Sequence, residues 1–318
     1  MAIGDIITAT RYNAIQTIVE DILGVGSGTE GYGMTTASNQ VAVNDLVTAS
    51  DMNNLYNDFD KIYRHQVNLA PSASISTISI SNLIADDNSE PSSVLKGYAD
   101  FENFATTISA DPARFRLHST QSTTTNLVTS NLSPSPWRNT GSFGDVGFEF
   151  GSANARRHFF NAGGKIQWNI SLTSTATGGN VSKTNNWVTM FSNAGTVSLN
   201  YNSTSSDNSG TGTSIGNFQL TSGYQTVYTK TGSGLYSGNS FVIQAREAST
   251  SKIEMRVRMT DSDSGSSPSG PNNAKGWRAV DEYVQGTFTI EIDTVRATGS
   301  YVSVAQPTQP NTLSSVFT

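Results

Sequence analysis

A segment near the start of the chain occurs twice, forty residues apart, and each copy leads into a helical pattern. Asp5-Ile-Ile-Thr-Ala-Thr-Arg-Tyr-Asn-Ala-Ile returns as Asp45-Leu-Val-Thr-Ala-Ser-Asp-Met-Asn-Asn-Leu, with Asp, Thr, Ala and Asn identical at matching positions. In both, a short extended apolar pair reaches a threonine, Thr8 or Thr48. A threonine there suits a helix N-cap, because its hydroxyl accepts from the free amides of the first turn. Asp51, three residues after Thr48, makes a variant of the capping box.

Each cap is followed by one apolar stripe at helical spacing. Tyr12, Ile15, Ile18, Val19 and Ile22 mark the first; Met52, Leu55, Tyr56, Phe59, Ile62 and Tyr63 mark the second. The first helix should end at Gly24, where a glycine-rich link begins and runs to Gly33. Two short amphipathic helices can bury each other's stripes but leave little independent core. Residues 1–66 therefore read as a docking or oligomerisation region, with Tyr12, Ile15, Val19, Ile22, Met52, Leu55, Phe59 and Ile62 as its contact residues.

Residues 67–112 read as a linker and a third helix. The stretch from Ala70 to Ser93 is rich in Ser, Asn and Asp, and a helix is expected from about Ser93 to Ile108, ended with the help of Pro112. Beyond Arg114 the period changes to two. Ile166, Trp168, Ile170 and Leu172 alternate with polar neighbours, as do Ile253, Met255, Val257 and Met259, and Phe288, Ile290 and Ile292. Further strands are expected at Val146–Phe150, Thr196–Tyr201, Tyr224–Tyr228 and Phe241–Ala245. Many short alternating strands between Gly, Ser and Asn turns indicate an antiparallel β-sandwich, jelly-roll-like, over residues 113–303. Residues 304–318 carry Pro307 and Pro310 and little periodicity, and read as an extended C-terminal arm. The fold class is α+β, mainly β.

Composition narrows the chemistry. Charged residues make up 14% of the chain, against about 25% in an average soluble protein. Ser, Thr, Asn and Gly fill the difference, which suits sheet surfaces and turns. With no cysteine there is no disulfide, thiol or Cys-zinc chemistry, and three histidines (His65, His118, His158) are few for a metal centre. The first residues lack a basic stretch followed by an apolar run, and no segment approaches about 18 consecutive apolar residues, so neither a signal peptide nor membrane insertion is expected. Residues 1–110 hold four Lys/Arg against thirteen Asp/Glu, and residues 111–318 hold fifteen against twelve. The acidic first part would repel phosphates, so no nucleic-acid partner is expected there.

Several motifs match chemistry only in outline. Gly26-Ser-Gly-Thr-Glu-Gly31 has dinucleotide-loop spacing but follows a helix instead of a strand, and Glu30 would face any phosphate; it reads as a flexible inter-helix link. Gly212-Thr-Ser-Ile-Gly216 has nucleophile-elbow spacing without the strand–turn–helix context. Asp261 and Asp263, beside Gly265, are weak calcium candidates that lack the rest of a calcium loop. Arg156-Arg157-His158 reads as the polar face of a strand beside core aromatics, with an anion or glycan contact as the alternative. Trp137 and Trp277 lie in turn-like surroundings and are the candidates for a glycan contact. No catalytic residue and no cofactor is expected.

The repeated Ile-Ile-Thr-Ala…Tyr-Asn-Ala-Ile segment resembles N-terminal segments of structural proteins in tailed phages. Arg157-His-Phe-Phe-Asn-Ala-Gly-Gly-Lys-Ile-Gln-Trp, Asn186-Trp-Val-Thr-Met-Phe-Ser-Asn-Ala-Gly and Asp281-Glu-Tyr-Val-Gln-Gly-Thr-Phe-Thr-Ile resemble virion proteins of marine phages, notably cyanophages. The resemblance implies a non-enzymatic virion component made in the host cytoplasm. It further implies a tail, collar or baseplate appendage (fibre) that docks on other virion proteins and forms a homo-oligomer, with a trimer favoured. The alternatives are a capsid decoration protein and a module that binds a host surface glycan.

Overall fold

The computed structural model describes residues 7–72, 75–78, 83–85, 95–262, 282–309 and 313–318. The fold is α+β, with five α-helices and two antiparallel sheets among these residues. The chain divides into two compact units. Unit 1 comprises Met1–Thr123, Asn154–Gly164 and Arg296–Ala305; unit 2 comprises Thr124–Ala153, Lys165–Val295 and Gln306–Thr318. The boundaries expected at residues 66, 112 and 303 are therefore not those of the compact units. Segments 154–164 and 296–303, expected inside the β-sandwich, belong with the N-terminal helices, as do residues 304 and 305 of the expected C-terminal arm.

In unit 1 both copies of the duplicated segment form the expected capped helix. Helix α1 (Ala9–Leu23) starts after Thr8, whose hydroxyl accepts from the Arg11 amide. Helix α2 (Ala49–Val67) starts after Thr48 with a complete capping box: the Thr48 hydroxyl accepts from the Asp51 amide at 3.2 Å, and Asp51 accepts from the Thr48 amide at 2.8 Å. It ends at Asn68, a left-handed residue whose type tolerates that conformation.

Helix α3 (Tyr98–Ser109) supplies the core that two helices alone would lack. Phe101 and Ile108 follow its N-cap, Gly97, at the spacing at which Tyr12 and Val19 follow Thr8 and Met52 and Phe59 follow Thr48; all six are buried. Phe59 packs on Phe101 and Phe104 with ring centroids 6.2 and 5.2 Å apart. Each large side chain buried this way contributes about 1.5–3 kcal/mol. In the same half of α3, Arg11 bonds Glu102 at 2.6 Å and lies over the Tyr98 ring. Strands β1 (Leu83–Ala85) and β2 (Leu95–Gly97) pair in parallel just before it.

Helix α4 (Ala153–Asn161) belongs to unit 1 except for its first residue. It corrects the strand reading of Arg156-Arg157-His158. At helical spacing Arg156, Phe159 and Phe160 share a buried face, whereas a strand would have sent the two phenylalanines to opposite sides.

Unit 2 is built on strands β3 (Ser122–Leu132), β4 (Thr140–Glu149), β5 (Lys165–Ser174), β6 (Thr196–Leu199), β7 (Thr204–Ser206), β8 (Thr211–Gly212), β9 (Gln225–Thr231), β10 (Ser240–Ser249), β11 (Lys252–Thr260), β12 (Gly286–Ala297) and β13 (Ser315–Phe317). One sheet has the order β13-β4-β11-β10-β9-β8 and the other β3-β12-β5-β6-β7. The alternating apolar positions of β5, β11 and β12 are buried, as their period of two requires. Phe143 of β4 meets Phe288 of β12 edge to face at 4.9 Å, which joins the inner sides of the two sheets.

Helix α5 (Asn180–Ala194) lies inside the region whose period-two pattern predicts strands. Its Phe191 stacks on Phe241 of β10 at 4.7 Å and meets Phe288 at 5.6 Å, so it touches both sheets. The C-terminal stretch is also corrected. β13 pairs antiparallel with β4 of its own chain, and Phe317 packs 5.5 Å from Trp137, Phe143 and Phe288. Three residues of strand are too short to show a period in the sequence.

Candidate functional site

The eight apolar residues expected to contact a partner are consumed inside unit 1. Tyr12, Ile15, Val19, Ile22, Met52, Leu55, Phe59 and Ile62 are each no more than 3% exposed. They hold the helices together and present no surface. What the duplication does display is a pair of equivalent clamps. The Asn13 side chain donates to the Val41 carbonyl and accepts from the Val41 amide, both at 2.9 Å. Forty positions later, Asn53 donates to the Ile78 carbonyl at 3.0 Å and accepts from the Ile78 amide at 2.6 Å. A carboxamide can satisfy one backbone N–H and C=O at once, as a neighbouring strand would. The asparagine shared by the two copies therefore pins the returning chain in the same way twice.

The loop after α1 has further anchors. Asp58, fully buried on α2, accepts from the amides of Ala37 and Ser38 at 2.8 Å each, from the Ser38 hydroxyl at 2.9 Å and from Lys61 at 2.9 Å. Thr36 donates to Glu20. The glycine-rich link between Gly24 and Gly33, expected to be flexible, is also fastened. Arg157 and His158 reach the Val25 carbonyl, Asn161 reaches that of Gly31, and Arg114 pairs with Glu30 at 2.8 Å. Its carbonyls thus face donors. A phosphate-binding loop would point amides at its ligand. At Gly31 the backbone has φ +91°, and a Cβ would lie 2.4 Å from the Val25 carbonyl, so glycine is required there.

The two copies differ in their lead-ins. In the first, Ile7 and Ala9 are buried, and α3 lies alongside through Tyr98 and Glu102. In the second, their counterparts Val47 and Ala49 are half-buried and exposed, and Val43 and Leu46 just before them are 78% and 64% exposed. Asp45 closes a turn on Ala42 between them. This open lead-in holds the two most exposed large apolar side chains among the described residues of the helical unit.

Deeper in unit 1, His65 is fully buried against the Tyr32 ring, 4.9 Å between centroids. Burial pushes its pKa down to about 4, only partly offset by the backbone of Ala162. Gln66 beside it donates to the Tyr32 hydroxyl and the Ile108 carbonyl, and Tyr32 in turn donates to the Arg114 carbonyl.

In unit 2 the candidate residues fare differently. Trp137 is 2% exposed, edge to face with Trp187 at 5.0 Å, and is core, not a sugar platform. Trp277 and Asp263 lie outside the described residues. Asp261 is buried and pairs with Lys183 at 2.9 Å; Lys183 also donates to the Glu282 carbonyl. An ammonium already occupies the place a cation would take. Among the described residues no group of three or more His, Asp or Glu is placed to hold a metal, and no helix is long and apolar enough to cross a membrane.

Comparison of the chain with protein families, with curated proteins and with solved structures finds no match. The geometry stands alone. The sequence marked Asn13 and Asn53 only as identical positions. That identity, at sites too polar for the stripe, was the signal for the clamps. Asp58 gave none, since a lone aspartate on a helix usually faces water.

Proposed function

We propose that the chain is a structural, non-enzymatic component of a tailed-phage virion, most simply a tail, collar or baseplate appendage that attaches to other virion proteins through its helical unit. The observation that carries this reading is the unequal pair of lead-ins. One architecture is built twice, but Ile7 and Ala9 are buried in the first copy while their counterparts Val47 and Ala49 are half-buried and exposed in the second, where the preceding Val43 and Leu46 stand in water. Exposed apolar side chains on an ordered turn suit a protein contact. Attachment through this turn replaces attachment through the helix stripes. The sequence resemblance supplies the virion context, and homo-oligomers, trimers above all, are the expected assembly state.

The test is to carry Val43→Asp with Leu46→Asp in the phage and measure the protein's content in purified particles. Both sites are exposed, so the double variant should keep its thermal midpoint and purify normally. A loss of at least tenfold from particles is expected. Particles that retain the variant at the wild-type level would overturn the attachment reading.

A further inference from the structure

The outward side of the six-stranded sheet in unit 2 carries a cluster that the attachment reading does not use. Along β11, Glu254, Arg256 and Arg258 succeed one another on that side, alternating with the buried Met255, Val257 and Met259. Their cross-strand neighbours follow from the register. Glu254 sits between Arg246 and Gly147, Arg256 between Gln244 and Gly144, and Arg258 between Val242 and Ser142. Val316 of β13 comes next after Ser142 and is 64% exposed.

The charges there are unevenly satisfied. Glu254 is spoken for: Arg246 holds one carboxylate oxygen and Lys252 the other. Arg256 is held in place. Its guanidinium lies 3.6 Å from the centroid of the Tyr224 ring, its Nε donates to Gln244 at 2.8 Å, and its nearest carboxylate, Asp145, stands 3.9 Å away. Arg258 is exposed and makes no hydrogen bond or ion pair among the described residues. Burial, and after it the charge of Arg258, pulls the pKa of Arg256 below the usual arginine range. Two like charges thus stand about 7 Å apart on one strand, as alternate residues do. The whole chain carries a net charge of −6, so this is a local arrangement and not the overflow of a basic composition.

Small residues widen the place. Ser142, Gly144 and Gly147 leave β4 without bulk beside the long side chains of β11. The result is a fixed guanidinium, an uncommitted one, and apolar surface from Val242 and Val316 next to it. A guanidinium takes a carboxylate through two parallel N–H bonds, and a sugar ring offers C–H faces to aliphatic side chains. A nucleic-acid backbone fits less well, because Val242 and Val316 on either side of Arg258 offer no donor to a row of phosphates.

We propose that Arg256 and Arg258, with Val242 and Val316 on either side, form a binding site for an acidic oligosaccharide, one of whose carboxylates is taken by Arg258 while rings before and after it lie over Val242 and Val316, about 14 Å apart. The site belongs to unit 2 and stands or falls independently of attachment through Val43 and Leu46. As a receptor for uronate-bearing surface polysaccharide, it takes the place expected for Trp137 and Trp277.

The experiment is calorimetric titration of the full chain with oligogalacturonate, with neutral dextran of equal length and single-stranded DNA as comparison ligands. Oligogalacturonate is expected to bind and dextran not to. Arg258→Gln should weaken binding at least tenfold, Val316→Ser about threefold, and Lys165→Gln, on the other sheet, should leave it unchanged. Arg258 is exposed and unpaired among the described residues, so its variant should keep the wild-type thermal midpoint. No binding of oligogalacturonate, equal binding by Arg258→Gln, or tighter binding of DNA would each overturn the assignment.

Discussion

In unit 1 the chain runs from Gly24 to Thr48 without regular structure, and a few side chains hold it: Asn13 at Val41, Asp58 at Ala37 and Ser38, Arg157 and His158 at Val25. In unit 2 the long strands hold one another. β10 and β11 are each paired on both sides along most of their length, and the inner faces share a cluster of aromatic rings around Phe143, Phe191 and Phe288. Backbone ladders spread stability over many weak bonds. Side-chain clamps concentrate it in single residues, where one substitution leaves several buried donors without an acceptor. The helical unit should therefore be the brittle one, and its brittleness should be local to the loop each clamp holds.

Asp58→Ala should show this most strongly. It strips acceptors from two amides and a hydroxyl and leaves Lys61 unpaired, at a cost of about 3 kcal/mol. Hydrogen exchange should accelerate at Ala37 and Ser38 while amides of β10 and β11 stay protected. Equal acceleration in both units would break the comparison.

The next effect is the pH response of His65. Its folded pKa of about 4 lies below the ordinary value of about 6.5, so the unfolded chain binds the proton first. The stability due to neutral His65 is whole above about pH 6.5 and is lost as pH falls through that window, by about 3 kcal/mol near pH 4. Thermal melts between pH 7 and 4.5 should show unit 1 softening before unit 2. His65→Phe should flatten that slope; an unchanged slope would point to carboxylates instead.

The smallest effect sharpens the comparison most. Asn13→Ala and Asn53→Ala each remove two hydrogen bonds from equivalent places and should each cost about 2 kcal/mol. Denaturant melts of the two variants should agree closely. A cost confined to Asn13 would mean that the second copy no longer depends on its clamp.

The sequence alone determined the two capped helices, because a cap and a helical stripe are local and repeat at fixed spacing: Thr8 and Thr48 stand where they were expected. It also determined the period-two strands around Trp168, Met255 and Ile290, since alternation records burial residue by residue. Only the tertiary structure decided what those surfaces meet. The stripes turned inward because α3 supplies the third side of their core, a partner some forty residues further along that no local pattern could assign. Trp137 went into the core because Trp187 and Phe317 reach it from distant parts of the chain. The cluster at Arg256 and Arg258 depends on which strands flank β11, and strand order is set by long-range pairing that leaves no mark on spacing.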